Sequence, residues 1–311
     1  MTNNIKLFTG TNSRVLAERI ADEYYQKLGD LTVAKFSDGE IQPVINESVR
    51  GDMLFFIQST FAPSDNLMEL LLMIDAAKRA SAGYITAVIP FFGYARQDRK
   101  DKPRVPIAAK LIANLLQAAG ANRVMTMDLH ADQIQGFFDI PVDHLKSEPI
   151  FIQYLEESNI DNLLFASPDV GGVKRARNFS RILGKDFVTC SKYRKKANEI
   201  AEMNVIGDVE GFNVVLVDDM VDTAGTLCKA AEVIMAKGAK SVRALCTHAV
   251  LSGKAYENIE KSHLTELVVC DTIPLKQQTP KIKVVSTAKL FARALRNTHE
   301  HRSISAMFGG E

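Results

Sequence analysis

The 311-residue chain has only four cysteines, Cys190, Cys228, Cys246 and Cys270, and no Cys-x-x-Cys pair among them. That spacing excludes a disulfide framework and a thiol-rich zinc site, and it suits a reducing compartment. An excess of charge is missing too: 38 Lys and Arg against 37 Asp and Glu leave a net +1. General affinity for nucleic acid or an anionic membrane surface is therefore not expected, and any anion site must be local. No apolar run approaches the roughly 18 residues of a membrane span. The opening MTNNIKLFTGTNSR has neither the basic start nor the apolar core of a secretory signal. The expectation is a cytoplasmic protein with neither membrane nor nucleic-acid partners. No strand opens into G-x-G-x-x-G, which disfavours a dinucleotide-binding dehydrogenase.

What is present is an ordinary globular composition, 46% hydrophobic and 24% charged, at a length of about two domains. One pattern recurs: a helical segment, a glycine, then an apolar run. It occurs in AAKRASAGYITAVIP (76–90), LLQAAGANRVMTMD (115–128) and EVIMAKGAKSVRALCT (232–247). Gly83, Gly120 and Gly238 read as helix stops. Repeated helix–strand alternation predicts α/β layers built on mostly parallel sheets flanked by helices. A long-range echo joins Val124–Asp128 with Asp132 to Val214–Asp218 with Asp222, and suggests two similar domains, 1–146 and 147–311. Two basic segments break the alternation, Phe91–Pro106 and Ser191–Glu199. Both read as mobile surface loops able to close on something negative.

The stretch VVLVDDMVDTAGT (214–226) concentrates the chemistry. An apolar strand, Val214–Val217, ends in Asp218, Asp219 and Asp222, and the carboxyl ends of parallel strands are where ligands bind in open α/β sheets. Carboxylates accept hydrogen bonds from vicinal sugar hydroxyls. The turn Asp222, Thr223, Ala224, Gly225, Thr226 offers backbone N–H groups and hydroxyls to a phosphate. A sugar phosphate satisfies both halves. The bland alternative is a strand end whose acids cap the next helix.

This stretch resembles the phosphoribosyl-binding fingerprint of the type I phosphoribosyltransferase fold. Five further motifs stand in the order found in ribose-phosphate pyrophosphokinases of the phosphate-activated class: FSDGE (36–40), YARQDRK (94–100), MDLHA (127–131), SPDVGG (167–172) and SKYRKKANE (191–199). The resemblance covers essentially the whole chain. It implies two phosphoribosyltransferase-like domains that carry a pyrophosphoryl group from ATP to ribose 5-phosphate.

By that resemblance, Phe36, Asp38, Gly39 and Glu40 hold the adenine, reaching it from a neighbouring subunit, and Arg96 and Gln97 also serve ATP. His130 and Asp169 help hold Mg2+, although a single His is an atypical ligand for so hard a cation. Lys192 and Arg194 are the catalytic pair, and Arg194 joins Asp218, Asp219 and Asp222–Thr226 around ribose 5-phosphate. Ser48, Arg50, Ser81, Arg104, Gln135, Ser303, Ser305 and Phe308 match a phosphate and ADP effector site, where hydroxyls and arginines suit an anion. A homo-oligomer, a hexamer by resemblance, is implied. Ala224 departs from the commonest form, a second Gly, and is expected to require a negative φ. Two rivals remain: a nucleobase phosphoribosyltransferase, which would not need the Phe36–Glu40 and Arg96–Gln97 elements, and a non-catalytic regulatory homologue of the synthetase.

Overall fold

The computed structural model describes residues 4–193 and 202–308. The chain divides into two compact units: Met1–Lys146 with Thr272–Pro274 and Thr287–Glu311, and Ser147–Asp271 with Leu275–Ser286.

The first unit runs β1 (Ile5–Thr9), α1 (Arg14–Tyr24), β2 (Leu31–Lys35), β3 (Ile41–Ile45), β4 (Met53–Ile57), α2 (Asp65–Arg79), β5 (Tyr84–Ile89), α3 (Ala108–Ala119), β6 (Arg123–Met127) and β7 (Val142–Leu145). Its sheet has the order β1-β4-β5-β6-β7, every pair parallel. MLFFI in β4 and YITAVI in β5 are near-continuous apolar runs because both faces of a parallel sheet are covered by helices. The core joins Phe8, Leu54, Phe56, Leu70, Ile74, Ile85, Ile112 and Leu116. β2 and β3 pair antiparallel as a separate hairpin.

In the second unit come α4 (Glu148–Glu157), β8 (Leu163–Ser167), α5 (Val173–Leu183), β9 (Phe187–Tyr193), β10 (Glu202–Ile206), β11 (Asn213–Val221), α6 (Gly225–Ala236), β12 (Ser241–Ala249), α7 (Ala255–Lys261), β13 (Leu264–Cys270) and β14 (Ile282–Val285). The sheet order is β10-β9-β8-β11-β12-β13-β14, and only the β9–β10 pair at its edge is antiparallel. Val214 and Leu216 face one core with Leu227, Ala231 and Ile234, while Val215 and Val217 face another with Phe151, Phe165 and Phe179. Strand periodicity alone produces this split. The last helix, α8 (Ala288–His299), returns to the first unit. There the Arg296 guanidinium lies 5.3 Å from the centroid of the Tyr24 ring on α1.

Several local expectations change. Gly120 (φ 124°) ends α3 and Gly238 (φ 92°) follows α6, but α2 stops at Arg79 and the left-handed position after it belongs to Ser81 (φ 62°). Gly83 is needed for room instead: a Cβ there would lie 2.5 Å from the Gly51 carbonyl oxygen. Phe91–Pro106 is anchored at its start, with Phe91, Phe92 and Ala95 buried and Phe92 edge-on to Phe138 at 5.9 Å. Ser191 and Lys192 lie in β9, which runs to Tyr193. The echo between Val124–Asp128 and Val214–Asp218 also fails as a match of equivalent parts. It pairs β6 with β11, whereas strand order places β11 beside the first strand of its unit, as β4 is placed in the other.

Candidate active site

In the second unit β11 extends beyond its apolar run, Val214–Val217, to Val221. β11 pairs with β8 only as far as Leu216↔Ala166, but with β12 as far as Val221↔Ala249. Asp218 and Asp219 therefore lie inside a strand that continues on β12 after β8 has left it. The Asp218 side chain keeps 25% of its exposure and Asp219 only 7%. Arg175, on the first turn of α5, sets Nη1 3.3 Å from Asp219 Oδ1 and 3.6 Å from Asp218 Oδ1. Burial, reinforced by the Asp219 charge beside it, pushes the Asp218 carboxyl up to about 8; Arg175 opposes the rise.

Beyond Val221 the chain turns into α6. The Ser252 hydroxyl hydrogen-bonds the Asp222 carboxylate, and the Ser252 N–H donates to the Asp222 carbonyl at 3.0 Å. Asn258 Nδ2 donates to the Thr223 carbonyl at 2.9 Å. Ala224 stands at φ 61°, ψ 0°, so the expectation of a negative φ is wrong: the turn demands the left-handed conformation, and Ala adopts it at a cost of about 1 kcal/mol. α6 takes no side-chain cap from its N-cap residue, Ala224. Its backbone donors and the positive end of its dipole follow directly on Asp222 and Thr223, which is an anion-binding arrangement.

Asp169 follows β8. Its Oδ1 accepts the Gly171 N–H at 2.9 Å and the Gly172 N–H at 3.2 Å, so these two turn donors engage the carboxylate of the same turn.

The first unit holds a cleft of about 570 Å³ lined by Arg96, Gln97, Asp98, Arg99, Asp101, Val105, Pro106, His130, Ala131 and Gln133. Thus Arg96 and Gln97 share one concavity with His130, more than thirty residues further along the chain. His130 is exposed, in the loop between β6 and a 3-10 helix at Asp132–Phe137. His144 stabilises that loop, because its Nε2 accepts the Leu129 N–H at 2.8 Å. Lys146 Nζ donates to Asp132 Oδ1 at 2.8 Å.

Phe36, Asp38, Gly39 and Glu40 do not line the cleft. They form the tip of the β2–β3 hairpin, closed by Gly39 N–H to the Phe36 carbonyl and Phe36 N–H to the Glu40 carbonyl, both at 2.9 Å. Phe36 is 52% exposed. Among the effector candidates, Ser48, Arg50 and Ser81 are neighbours, since the Gly51 N–H donates to the Ser81 carbonyl at 2.9 Å. Ser303 and Ser305 pair at 3.0 Å, beside Phe308 in the 3-10 helix Ser305–Phe308. Gln135 donates to the Asp132 carbonyl, and Arg104 holds φ 65°. Among the described residues no hydrogen bond or ion pair joins the two clusters to each other, to Gln135 or to Arg104. The Lys192 side chain and all of Arg194 lie outside the described residues.

Residues 5–120 match the family model for the N-terminal domain of ribose phosphate pyrophosphokinase, and residues 186–309 match the phosphoribosyl synthetase-associated domain. A ribose-phosphate pyrophosphokinase of Porphyromonas gingivalis is 55% identical over 98% of this chain and 98% of its own length. The chain belongs to the ribose-phosphate pyrophosphokinase family. Another family member, from Wolinella succinogenes, is 58% identical over 97% of this chain and 98% of its own. The crystal structure of phosphoribosylpyrophosphate synthetase from Mycobacterium smegmatis superposes with a TM-score of 0.91 at 40% identity, covering 96% of this chain and all of that one. The two-unit α/β fold is thus the pyrophosphokinase fold.

Three residues around the site were not legible beforehand: Arg175, Ser252 and Asn258. Arg175 left a faint signal, a basic residue on the first turn after Asp169–Gly172. Ser252 and Asn258 left none, because their contacts span about thirty residues.

Proposed function

We propose that this chain is an enzyme, a ribose-phosphate diphosphokinase that converts ATP and ribose 5-phosphate into AMP and 5-phosphoribosyl 1-pyrophosphate for nucleotide biosynthesis. The observation that carries the reading is the β11–α6 junction, where the acids Asp218, Asp219 and Asp222 run directly into the start of a helix, in a chain of this family. The anomeric hydroxyl attacks the β-phosphorus of ATP in line. The bond from that phosphorus to the oxygen shared with the α-phosphate breaks, AMP leaves with the oxygen, and the hydroxyl proton passes to water. No side chain is an evident general base, so positioning and charge neutralisation carry the rate.

Asp218 and Asp222 hold the ribose hydroxyls, and Asp222–Thr226 cradles the 5-phosphate. Arg96 and Gln97 grip the nucleotide in the cleft of the first unit, with Phe36, Asp38, Gly39 and Glu40 from a neighbouring subunit around the adenine. Lys192 and Arg194 neutralise charge developing on the transferred group. Asp169 offers the carboxylate oxygen that Mg2+ prefers, and among the described residues no group of three or more His, Cys, Asp or Glu could hold an ion alone. A cation that keeps waters and takes phosphate oxygens needs few protein ligands. Asp169 would hold it, with His130, and when bound it neutralises charge on the β- and γ-phosphate oxygens.

A homohexamer, a phosphate and ADP effector site at Ser48, Arg50, Ser81, Arg104, Gln135, Ser303, Ser305 and Phe308, and a cytoplasmic location complete the proposal. Among the described residues no helix is long and apolar enough to cross a membrane. Purified protein with Mg2+, ATP and ribose 5-phosphate is expected to form AMP and a new sugar pyrophosphate by nucleotide chromatography and 31P NMR. ADP as the product would overturn the reading in favour of an ordinary kinase.

A further inference from the structure

Asp218 and Asp219 are consecutive residues of β11, so their side chains start from opposite faces of the sheet. One atom nevertheless reaches both, Arg175 Nη1. Asp219 is nearly sealed, whereas Asp218 keeps an accessible carboxylate whose Oδ1 also accepts the Asp219 N–H at 2.9 Å. A third carboxylate, Asp169, adds to the negative field on Asp218. Burying adjacent carboxylates without a cation costs several kcal/mol in general, and removing one member of a buried pair strands the other. The two acids therefore divide the work. Asp219 is too enclosed to meet a sugar and serves as the counter-charge that fixes the guanidinium; Asp218 is the one a ligand can touch.

We propose that Arg175 is a positioning residue for sugar binding: held by Asp219, it keeps the Asp218 carboxylate in place to accept ribose hydroxyls. This rests on the assignment of Asp218 to ribose 5-phosphate. Because one nitrogen, Nη1, lies within reach of both carboxylates, a lysine ammonium placed there can meet the same two charges.

The test is steady-state AMP formation by the full-length protein with Asp218→Asn, Arg175→Ala, Arg175→Lys, Asp219→Asn and the double variant Arg175→Ala/Asp219→Asn. Arg175→Ala is expected to raise KM for ribose 5-phosphate by about tenfold or more, with kcat and KM for ATP changed by less than about threefold. Arg175→Lys should recover most of the loss. In the Asp219→Asn background the loss of Arg175 should cost less than about threefold in the same KM, because the counter-charge that fixes Arg175 beside Asp218 is gone. A purely structural arginine would show neither the lysine rescue nor this coupling. If Arg175→Ala does not fold, the double variant against Asp219→Asn carries the test alone, and a difference of about tenfold or more there overturns the proposal. If Asp218→Asn raises the sugar KM while Arg175→Ala leaves it unchanged, the Arg175 role fails and the ribose site stands. An unchanged sugar KM in Asp218→Asn removes the ribose assignment and this inference with it.

Discussion

β4 and β11 hold the same place in their units, each beside the first strand and each leading into a helix, yet the two strand ends are built for different ends. After β4 come Gln58, Ser59 and Thr60, all buried. Apart from Gln58 Oε1, which is buried without a hydrogen-bond partner, their side-chain polar groups are used internally: Glu69 on α2 accepts from the Thr11 N–H, the Thr11 hydroxyl and Gln58 Nε2, and the Ser59 hydroxyl donates to the Thr272 carbonyl at 2.7 Å. The space is filled as well, since a Cβ on Gly10 would come within 2.1 Å of Glu69 Oε1. In the second half of β11 stands an acid with an accessible carboxylate, Asp218, and beyond the strand come a strained left-handed Ala224 and a helix whose N-cap residue supplies no side-chain cap. One α/β plan thus gives a sealed strand end in one unit and an open one in the other. A fold can be repeated without repeating its site, because the site depends on which polar groups the surrounding side chains leave unspent.

The sharpest way to test that asymmetry is through the proposed chemistry of the second unit. Lys192→Ala is expected to lower kcat by on the order of 10²–10³, with little change in KM for ribose 5-phosphate, the loss typical of one transition-state charge stabiliser. Steady-state rates decide it, and an unchanged kcat would end the role of Lys192. The sealed end should respond in stability instead. Glu69→Ala leaves the two Thr11 donors without that acceptor, leaves Gln58 Nε2 with only the Asn66 carbonyl at 3.4 Å and opens a void, and is expected to cost about 2–4 kcal/mol in urea unfolding with KM for ribose 5-phosphate unaltered. A shift in that KM would show that the first unit's strand end also reaches the sugar.

Arg96→Ala probes the other half of the comparison, the cleft that the first unit opens elsewhere. It should raise KM for ATP by about tenfold and leave the sugar's within about twofold. Equal effects on both substrates would erase the division between the units.

The acid response should also differ. On Glu266, burial opposes ionisation, but hydrogen bonds from Lys283 and Tyr154 and the charges of Lys283 and Arg243 prevail and lower its pKa. Its contribution is present above the ordinary carboxylate value and is lost as pH falls through the lowered one. On Asp143 in the first unit, burial outweighs the hydrogen bond and charge of Arg123 and raises the pKa. That group favours the fold most below its ordinary value and loses the benefit as pH rises through the raised one. Below about pH 4, hydrogen exchange followed by mass spectrometry is expected to show the Glu266 strands of the second unit losing protection before the Asp143 strand of the first. The reverse order would refute the assignment. The smallest effect is Ala224→Gly. Relief of the left-handed strain should stabilise the protein by about 0.5–1 kcal/mol, partly offset by the greater freedom of unfolded glycine. A lower unfolding midpoint would mean that Ala224 is not strained.

Most of the proposed site is readable from residue types, since strand-end acids, a small hydroxylated turn and basic loops each carry their chemistry in local sequence. The false echo between Asp128 and Asp218 shows where that reading stops. Apolar strands ending in Asp look alike in sequence, and only hydrogen-bonded neighbours reveal that β6 and β11 occupy different places in their sheets.

By itself, then, the sequence determined the α/β class, the family, the acid-turn-helix segment and the basic segments, because hydrophobic period, turn residues and spacing are local quantities. Tertiary structure alone decided that Asp218 and Asp219 lie within a strand rather than after it, that Ala224 is left-handed, that Arg96, Gln97 and His130 share a cleft, and that Arg175 answers two carboxylates. Each of these depends on which distant backbone pairs with which and on how much water the packing leaves, and no short stretch of residues encodes either.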